Sequence, residues 1–321
     1  VGAAAGIGRK SIRIANSIIN LFVLLAILLL LAYGSYALWD SGQVYAAASP
    51  TKYEAYKPTN ANQGLSFQQL QAINPEVFSW LTVYGTHIDY PVAQGADNLK
   101  YINTNASGKY SLSGSLFLDS DCSKDFSDFS SIIYGHHMDK DTMFGEIGLF
   151  ADKSYFDARK YGMLYFNGRE YGLQFFAFVH ADAYDTSVFR TKITGAGAQQ
   201  SYLNMLLSRA TNVRGDVPVT TNDHIVLLST CSESSTNGRD ILIGKITNQT
   251  YPDTFKTEIT KTASIVPMAG ADPGSGAQAS PAMKVLIVAA CLLILLLIGL
   301  VFRKRKRSQK GSMDAAQNRN L

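Results

Sequence analysis

Between Asp223 and Lys245 the chain reads Asp-His-Ile-Val-Leu-Leu-Ser-Thr-Cys-Ser-Glu-Ser-Ser-Thr-Asn-Gly-Arg-Asp-Ile-Leu-Ile-Gly-Lys. An apolar run from Ile225 to Leu228 leads to Cys231; a polar loop with Asn237-Gly238 follows, and Arg239 opens a second apolar run. A thiol at a strand end has its Cα fixed by the strand while the loop leaves Sγ open to a substrate. Cys231 is therefore the candidate nucleophile. A hairpin would bring the Arg239 guanidinium back beside it, where a permanent cation favours the thiolate and can hold an oxyanion. Tyr134-Gly135-His136-His137-Met138 follows the apolar pair Ile132-Ile133 and offers an imidazole at another strand end; from the residues alone either His136 or His137 could serve. Together these three residue types point to covalent acyl transfer. The plainer alternatives for Cys231 are a small buried hydrophobe or a disulfide with Cys122, since extracellular cysteine pairs tend to oxidise.

Other polar groups carry less. His87, His180 and His224 stand in no motif and read as ordinary surface or core residues. Asp119, Asp121, Asp125 and Asp128 are close in sequence but lack EF-hand spacing and its glycine, so they read as a solvated loop. No Cys-x-x-Cys or His-x-x-x-His spacing occurs, and neither a metal nor a cofactor is expected.

The elements that must position these residues are mostly strands. Short β-rich segments run from Trp80 to Val83, Ile88 to Val92, Gly114 to Leu118, Ser131 to Tyr134, Gly162 to Phe166 and Tyr171 to His180, with the final pair flanking Cys231. Ser66 could cap a short helix through Ala72. Gln199 to Arg209 is helical in pattern, with Tyr202, Leu203, Leu206 and Leu207 on one face. Many strands and few helices predict a single mainly-β barrel domain.

The ends of the chain are not globular. Ser17 to Leu38 is almost wholly apolar and long enough to span a bilayer, or to form the core of a signal peptide with Ala46-Ala47-Ala48-Ser49 as cleavage residues. A second apolar run, Val285 to Phe302, ends in Arg303-Lys304-Arg305-Lys306-Arg307. With Arg9, Lys10 and Arg13 before the first span, the positive-inside rule puts both tails in the cytoplasm and everything between outside. Of 29 Lys and Arg, 3 precede the first span and 8 lie from Lys284 onward, leaving 18 against 24 of the 25 Asp and Glu. An exposed domain of net charge near −6 excludes a nucleic-acid partner on electrostatic grounds.

Leu228-Ser229-Thr230-Cys231 followed by Arg239 resembles the sortase Thr-Leu-X-Thr-Cys motif with its downstream arginine, with Leu227 standing where the family has threonine. Ile133-Tyr134-Gly135-His136 resembles the sortase histidine segment. Further ordered matches are similar to class B sortases: Ile73-Asn74-Pro75-Glu76 with Trp80, Gly85-Thr86, Ile88-Asp89-Tyr90-Pro91-Val92, Gly114 to Asp119, Asp125 to Asp128, and Met143-Phe144-Gly145. The resemblance covers roughly Asn74 to Lys245. It implies an eight-stranded sortase-type β-barrel with peripheral helices, here flanked by two transmembrane helices. The organisation expected is a cytoplasmic tail (1–16), a transmembrane helix or signal anchor (17–39), a stalk (40–65), the catalytic domain (66–262), a linker (263–283), a second transmembrane helix (284–302) and a basic cytoplasmic tail (303–321) in a bacterial cell membrane.

The resemblance also assigns roles. Cys231 is the nucleophile and not a disulfide partner, His136 rather than His137 is the general acid and base, and Arg239 holds the oxyanion. Asn98, Ile102, Tyr134 and Ser229 line the peptide groove, and Tyr184 to Ala210 reads the signal. The implied activity is cysteine transpeptidation: cleavage of a C-terminal sorting signal of a surface protein or pilin, and transfer through a thioester to an amine of the peptidoglycan cross-bridge or of a pilin lysine. The alternatives are a non-catalytic pilus or adhesion scaffold on the same barrel, and another cysteine acyl-transferase such as an L,D-transpeptidase, whose Ser-His-Gly-Cys pattern this chain lacks. A C-terminal span resembles the pilus-building class C sortases, yet no Asp-Pro lid occurs before Gly114. Wall anchoring and pilin assembly therefore stand equally open.

Overall fold

The computed structural model describes residues 2–58, 65–231 and 237–255, with side chains from Ile12 onward, and divides the chain into one unit reaching Asp40 and another running from Ser41 to Val266. Helix α1 (Gly2–Ala48) contains, from Ile12, a stretch that is exposed, apolar and long enough to cross a membrane. Among the described residues it is one such helix; the run 284–302, the linker 263–283 and the basic tail lie outside them. Within the second unit, the described part of the stretch expected as a stalk is anchored at a few buried residues. Ala48 and Tyr53 are buried, two short 3-10 turns (Pro50–Lys52 and Glu54–Tyr56) follow α1, and the Tyr90 hydroxyl donates to the Ala48 carbonyl at 2.8 Å.

The second unit is a closed barrel. Its strands are β1 (Val77–Val83), β2 (Asp89–Ala93), β3 (Leu116–Leu118), β4 (Ser130–Tyr134), the small hairpin pair β5 (His137–Met138) and β6 (Thr142–Met143), β7 (Tyr161–Phe166), β8 (Arg169–Asp182), β9 (Ala210–Val213), β10 (His224–Cys231) and β11 (Gly238–Thr247). Hydrogen bonding runs β11-β10-β4-β3-β2-β1-β7-β8 and closes from β8 back to β11, giving the eight-stranded barrel; β9 adds to β8 outside the ring. Among the described residues, closure leaves no ring strand with a long unpaired edge. The pairs β2–β3 and β4–β10 are parallel, and the other ring pairs are antiparallel. Helices α2 (Leu65–Ile73), α3 (Lys153–Ala158) and α4 (Ala196–Arg209) are peripheral.

Side-chain alternation divides two cores. On β10 the even residues Val226 and Leu228 enter the barrel interior with Leu81, Phe175 and Leu242. The odd residues Ile225 and Leu227 face outward, with Ile132, Ile241 and Ile243, onto Tyr202, Leu203 and Leu206 of α4. Each fully buried Leu or Phe stabilises by about 1.5–3 kcal/mol, so two layers of such residues hold β10 firmly while its last residues stay polar. Helix α4 begins three residues before the expected Gln199 and buries three of the four residues expected on its apolar face. Strand β3 is shorter than expected because Gly114 lies at φ +57°, where a Cβ would fall 2.5 Å from the carbonyl oxygens of Tyr101 and Ile102. That close approach presses the loop carrying Ile102 against the start of β3.

Candidate active site

Cys231 ends β10 as an exposed free thiol, and in the β10–β11 register its Cα partner is Arg239. Arg239 pairs on its other side with Ala181 of β8, and the Ala183 N–H donates to the Asn237 carbonyl at 2.8 Å, so three strands brace the hairpin end. By alternation Ser229, Cys231, Arg239 and Tyr134 all lie on the α4 side of the barrel wall. The half-buried Arg239 donates from Nη1 to the Gly238 carbonyl at 3.0 Å and has no carboxylate partner among the described residues, leaving guanidinium donors for a ligand. Residues 232–236, between Cys231 and Asn237, lie outside the described residues.

His136 follows the end of the neighbouring strand, β4. In the parallel β4–β10 ladder Tyr134 pairs with Ser229, and the Gly135 N–H donates to the Ser229 carbonyl at 3.1 Å. His136 lies two residues beyond that pair, past the end of β4, and Cys231 lies two residues beyond it at the end of β10. Gly135 lets the chain pack close to the barrel interior, since a Cβ there would sit 2.4 Å from Leu116 Cδ2. The His136 Nε2 is 2.8 Å from the Ile102 carbonyl oxygen. A carbonyl only accepts, so Nε2 carries the hydrogen and Nδ1 remains to exchange a proton. His137 begins β5 and so leaves along the β5–β6 hairpin.

The remaining sequence candidates have defined places. Ser229 is 1 % exposed and its hydroxyl has no hydrogen-bond partner among the described residues. Such an orphan acceptor and donor is costly to bury and suits a peptide backbone. Ile102 packs half-buried against the cluster of Tyr101, Phe117 and Trp80. The Tyr134 hydroxyl donates to Asp119 Oδ2 at 3.0 Å, and Asn98 Nδ2 donates to the same oxygen at 2.9 Å. Burial, reinforced by Asp119, pushes the Tyr134 hydroxyl well above its ordinary pKa.

Asp119 corrects the solvated-loop expectation: it is 6 % exposed, because continuation of the β3–β4 pairing draws it inward. Cys122 is likewise buried, in the barrel core, and burial pushes its thiol up to about 12. Sequence reasoning also passed over Asp240, 3 % exposed, whose Oδ1 lies 2.6 Å from His180 Nδ1 directly behind the Thr230–Asp240 pairing. The available signal was an aspartate directly before the apolar run Ile241 to Ile243. His87 contacts Glu146, and His224 Nδ1 contacts the Asp128 carbonyl at 2.9 Å. Among the described residues no group of three or more His, Cys, Asp or Glu side chains is disposed to hold a metal.

A thiol and a planar cation thus stand on paired residues of one hairpin, and an imidazole follows the end of the adjoining strand, a set of groups suited to acyl transfer through a thioester. No family model matches the chain. The chain is similar to sortase B of Staphylococcus aureus, 30 % identical over 182 residues that make up 56 % of this chain and 74 % of the relative. Among solved structures it is similar to sortase B from the type II pilus of Streptococcus pneumoniae, with 44 % identity, a TM-score of 0.51 and coverage of 57 % of this chain and 99 % of that one. It is also similar to a Streptococcus pyogenes class B sortase involved in pilus biogenesis, with 40 % identity, a TM-score of 0.52 and the same coverage of 57 % and 99 %. The barrel, its order of strands and these likenesses agree, and the chain belongs to the class B sortases, a family of cysteine transpeptidases.

Proposed function

We propose that this chain is a membrane-anchored transpeptidase that joins pilin subunits, with Cys231, His136 and Arg239 as its catalytic residues. The observation that carries the chemistry is the register: Cys231 is opposite Arg239, and His136 stands at the adjoining strand end. The Cys231 thiolate attacks the backbone carbonyl carbon of a sorting signal, and Arg239 with backbone N–H groups holds the oxyanion that forms. As the tetrahedral intermediate collapses, the C–N bond breaks, and protonated His136 gives its Nδ1 proton to the departing amine. A thioester remains. A second amine then attacks it, His136 accepts that amine's proton at Nδ1, and the thiolate departs as the new amide forms.

Ser229, with its unpartnered hydroxyl, Tyr134, Asn98 and Ile102 form the groove floor in this reading. The pilin role is supported by two solved relatives at 44 % and 40 % identity whose own descriptions concern pili. The apolar part of α1 anchors the enzyme, the barrel lies outside the cell, and 284–302 forms a second span that returns the basic tail to the cytoplasm.

Mass spectrometry after incubating the detergent-solubilised chain with sorting-signal peptides and triglycine tests the chemistry. A cleaved peptide carrying triglycine is expected, and an uncleaved pool would leave a binding scaffold. Deleting the protein from its host and blotting wall extracts tests the role. Loss of high-molecular-weight ladders is expected; loss of one discrete wall-bound species with ladders intact would replace pilin assembly by wall anchoring.

A further inference from the structure

Asp119 belongs to neither the nucleophile side nor the assigned groove, yet its carboxylate joins the strand that leads to His136 and the loop that contacts its ring. Its Oδ2 accepts from the Tyr134 hydroxyl and from Asn98 Nδ2, at 3.0 and 2.9 Å, and its Oδ1 accepts from the Asp121 N–H at 2.9 Å. The Asn98 amide is used on both sides, since its Oδ1 accepts from the Ser120 N–H at 2.8 Å. Gln94 reinforces the same junction, donating from Nε2 to the carbonyls of Asp119 and Cys122 at 2.8 and 2.7 Å.

Following these bonds leads back to the imidazole. Gln94 and Asn98 lie on the loop that ends at Ile102, and the Ile102 carbonyl accepts the His136 Nε2–H at 2.8 Å. Tyr134 is two residues before His136 on β4. Asp119 therefore bridges the strand that delivers His136 to the loop that fixes its ring, completing a closed circuit of contacts. A carboxylate 6 % exposed, with no ion pair among the described residues, needs such hydrogen bonds to stay buried. Removing it would release both arms of the circuit together.

We propose that Asp119 is a positioning residue for transpeptidation: it holds the Gln94–Ile102 loop against β4, keeps the His136 Nε2–H on the Ile102 carbonyl so that Nδ1 is the nitrogen that exchanges the proton, and sets Asn98 and Tyr134 for the peptide. The proposal rests on His136 being the acid and base.

The test measures peptide cleavage, Cys231 alkylation by iodoacetamide, and long-range 1H–15N spectra of labelled histidine, on the full chain in detergent. Asp119→Ala is expected to lower kcat/KM roughly 10- to 100-fold, the scale of a small misplacement of a catalytic group. Its His136 nitrogen signals should move from the Nε2–H pattern to a tautomer mixture, while Cys231 alkylation stays within about twofold, since neither Cys231 nor Arg239 is in the circuit. In an Asn98→Ala/Tyr134→Phe background the same substitution should cost far less, because the bonds it removes are already gone. If Asp119→Ala does not fold, Asn98→Ala and Tyr134→Phe singly should each reproduce part of the His136 spectral change. Unchanged His136 signals in these variants, or a full undiminished loss in the double background, would overturn the proposal. An active His136→Ala enzyme instead defeats the catalytic assignment alone, since the spectral readout of the circuit is independent of turnover.

Discussion

Cys231 and Arg239 stand on neighbouring strands of one hairpin, whereas His136 takes its orientation from Ile102, 34 residues away in the chain, and from the network around Asp119. The first side of the candidate site is built by local geometry. An antiparallel pair linked by a loop has to bring its ends together, and eight residues of spacing are enough to see it. The second side is built by long-range packing, through a parallel β4–β10 pairing and a loop pressed against Gly114. Its precision depends on several elements being right at once, so the two sides should fail differently when perturbed.

The sharpest break is Cys231→Ala. Thioester and product should both vanish while Tm stays within about a degree of wild type, because the side chain is exposed and the substitution opens no core cavity. Cys122 cannot substitute, being buried with its thiol pushed up to about 12. Mass spectrometry for the acyl-enzyme together with thermal melts checks both parts, and residual thioester would remove Cys231 from its role.

Next in size is His136→Ala, expected to cost about 10²- to 10⁴-fold in kcat, the usual range for general acid–base groups. His137→Ala should retain activity within a few-fold, since β5 carries that residue into a separate hairpin. Peptide-cleavage kinetics of the two variants decide between the adjacent imidazoles, and the reverse pattern would transfer the role to His137.

Arg239→Lys comes third, with an expected loss of about 10²- to 10³-fold, comparable to deleting one oxyanion donor. The charge is kept, but an ammonium does not reproduce a planar fork fixed between β10 and β8. Near wild-type kinetics would show that only charge matters on the hairpin side.

The smallest effect is a control outside both sides of the candidate site. The hydrogen bond to Glu146 raises the His87 pKa above 6.5, against a partly opposing effect of burial. A folded-state value above the unfolded one means that the stabilisation is fully present below about 6.5 and is lost as pH rises through the higher folded value. Melting curves across that interval should show Tm falling more for wild type than for His87→Gln, with cleavage by both proteins at one pH alike. Equal slopes would leave the pair without a role in stability.

Much of the barrel was legible from short-range pattern. Ile88 to Val92 and Gly162 to Phe166 were read as strands; the observed β2 is shifted from the first by one residue at each end, and β7 begins one residue before the second. Cys231, Arg239 and the pair His136-His137 stood out as candidates because their residue types and strand-end positions are visible locally, and the family resemblance chose His136. The polar cluster after β3 was misread, since Asp119 looks like its neighbours Asp121 and Asp125 until the β4 pairing buries it. The packed turns around Tyr53, within a stretch read as stalk, were hidden for the same reason: short 3-10 turns leave no period to detect.

By itself the sequence determined the strand-rich class, the apolar stretch of α1 and the spacing that lets Arg239 return to Cys231, because alternation, hydrophobic length and hairpin closure act over a few residues. Only the tertiary structure decided which nitrogen of His136 is tied to Ile102, which aspartate of four is buried, and that Asp240 stands behind the thiol against His180. Those outcomes depend on pairing and burial between segments tens of residues apart. The free energy of a buried polar group is set by whichever distant partner reaches it, and no local pattern encodes that partner.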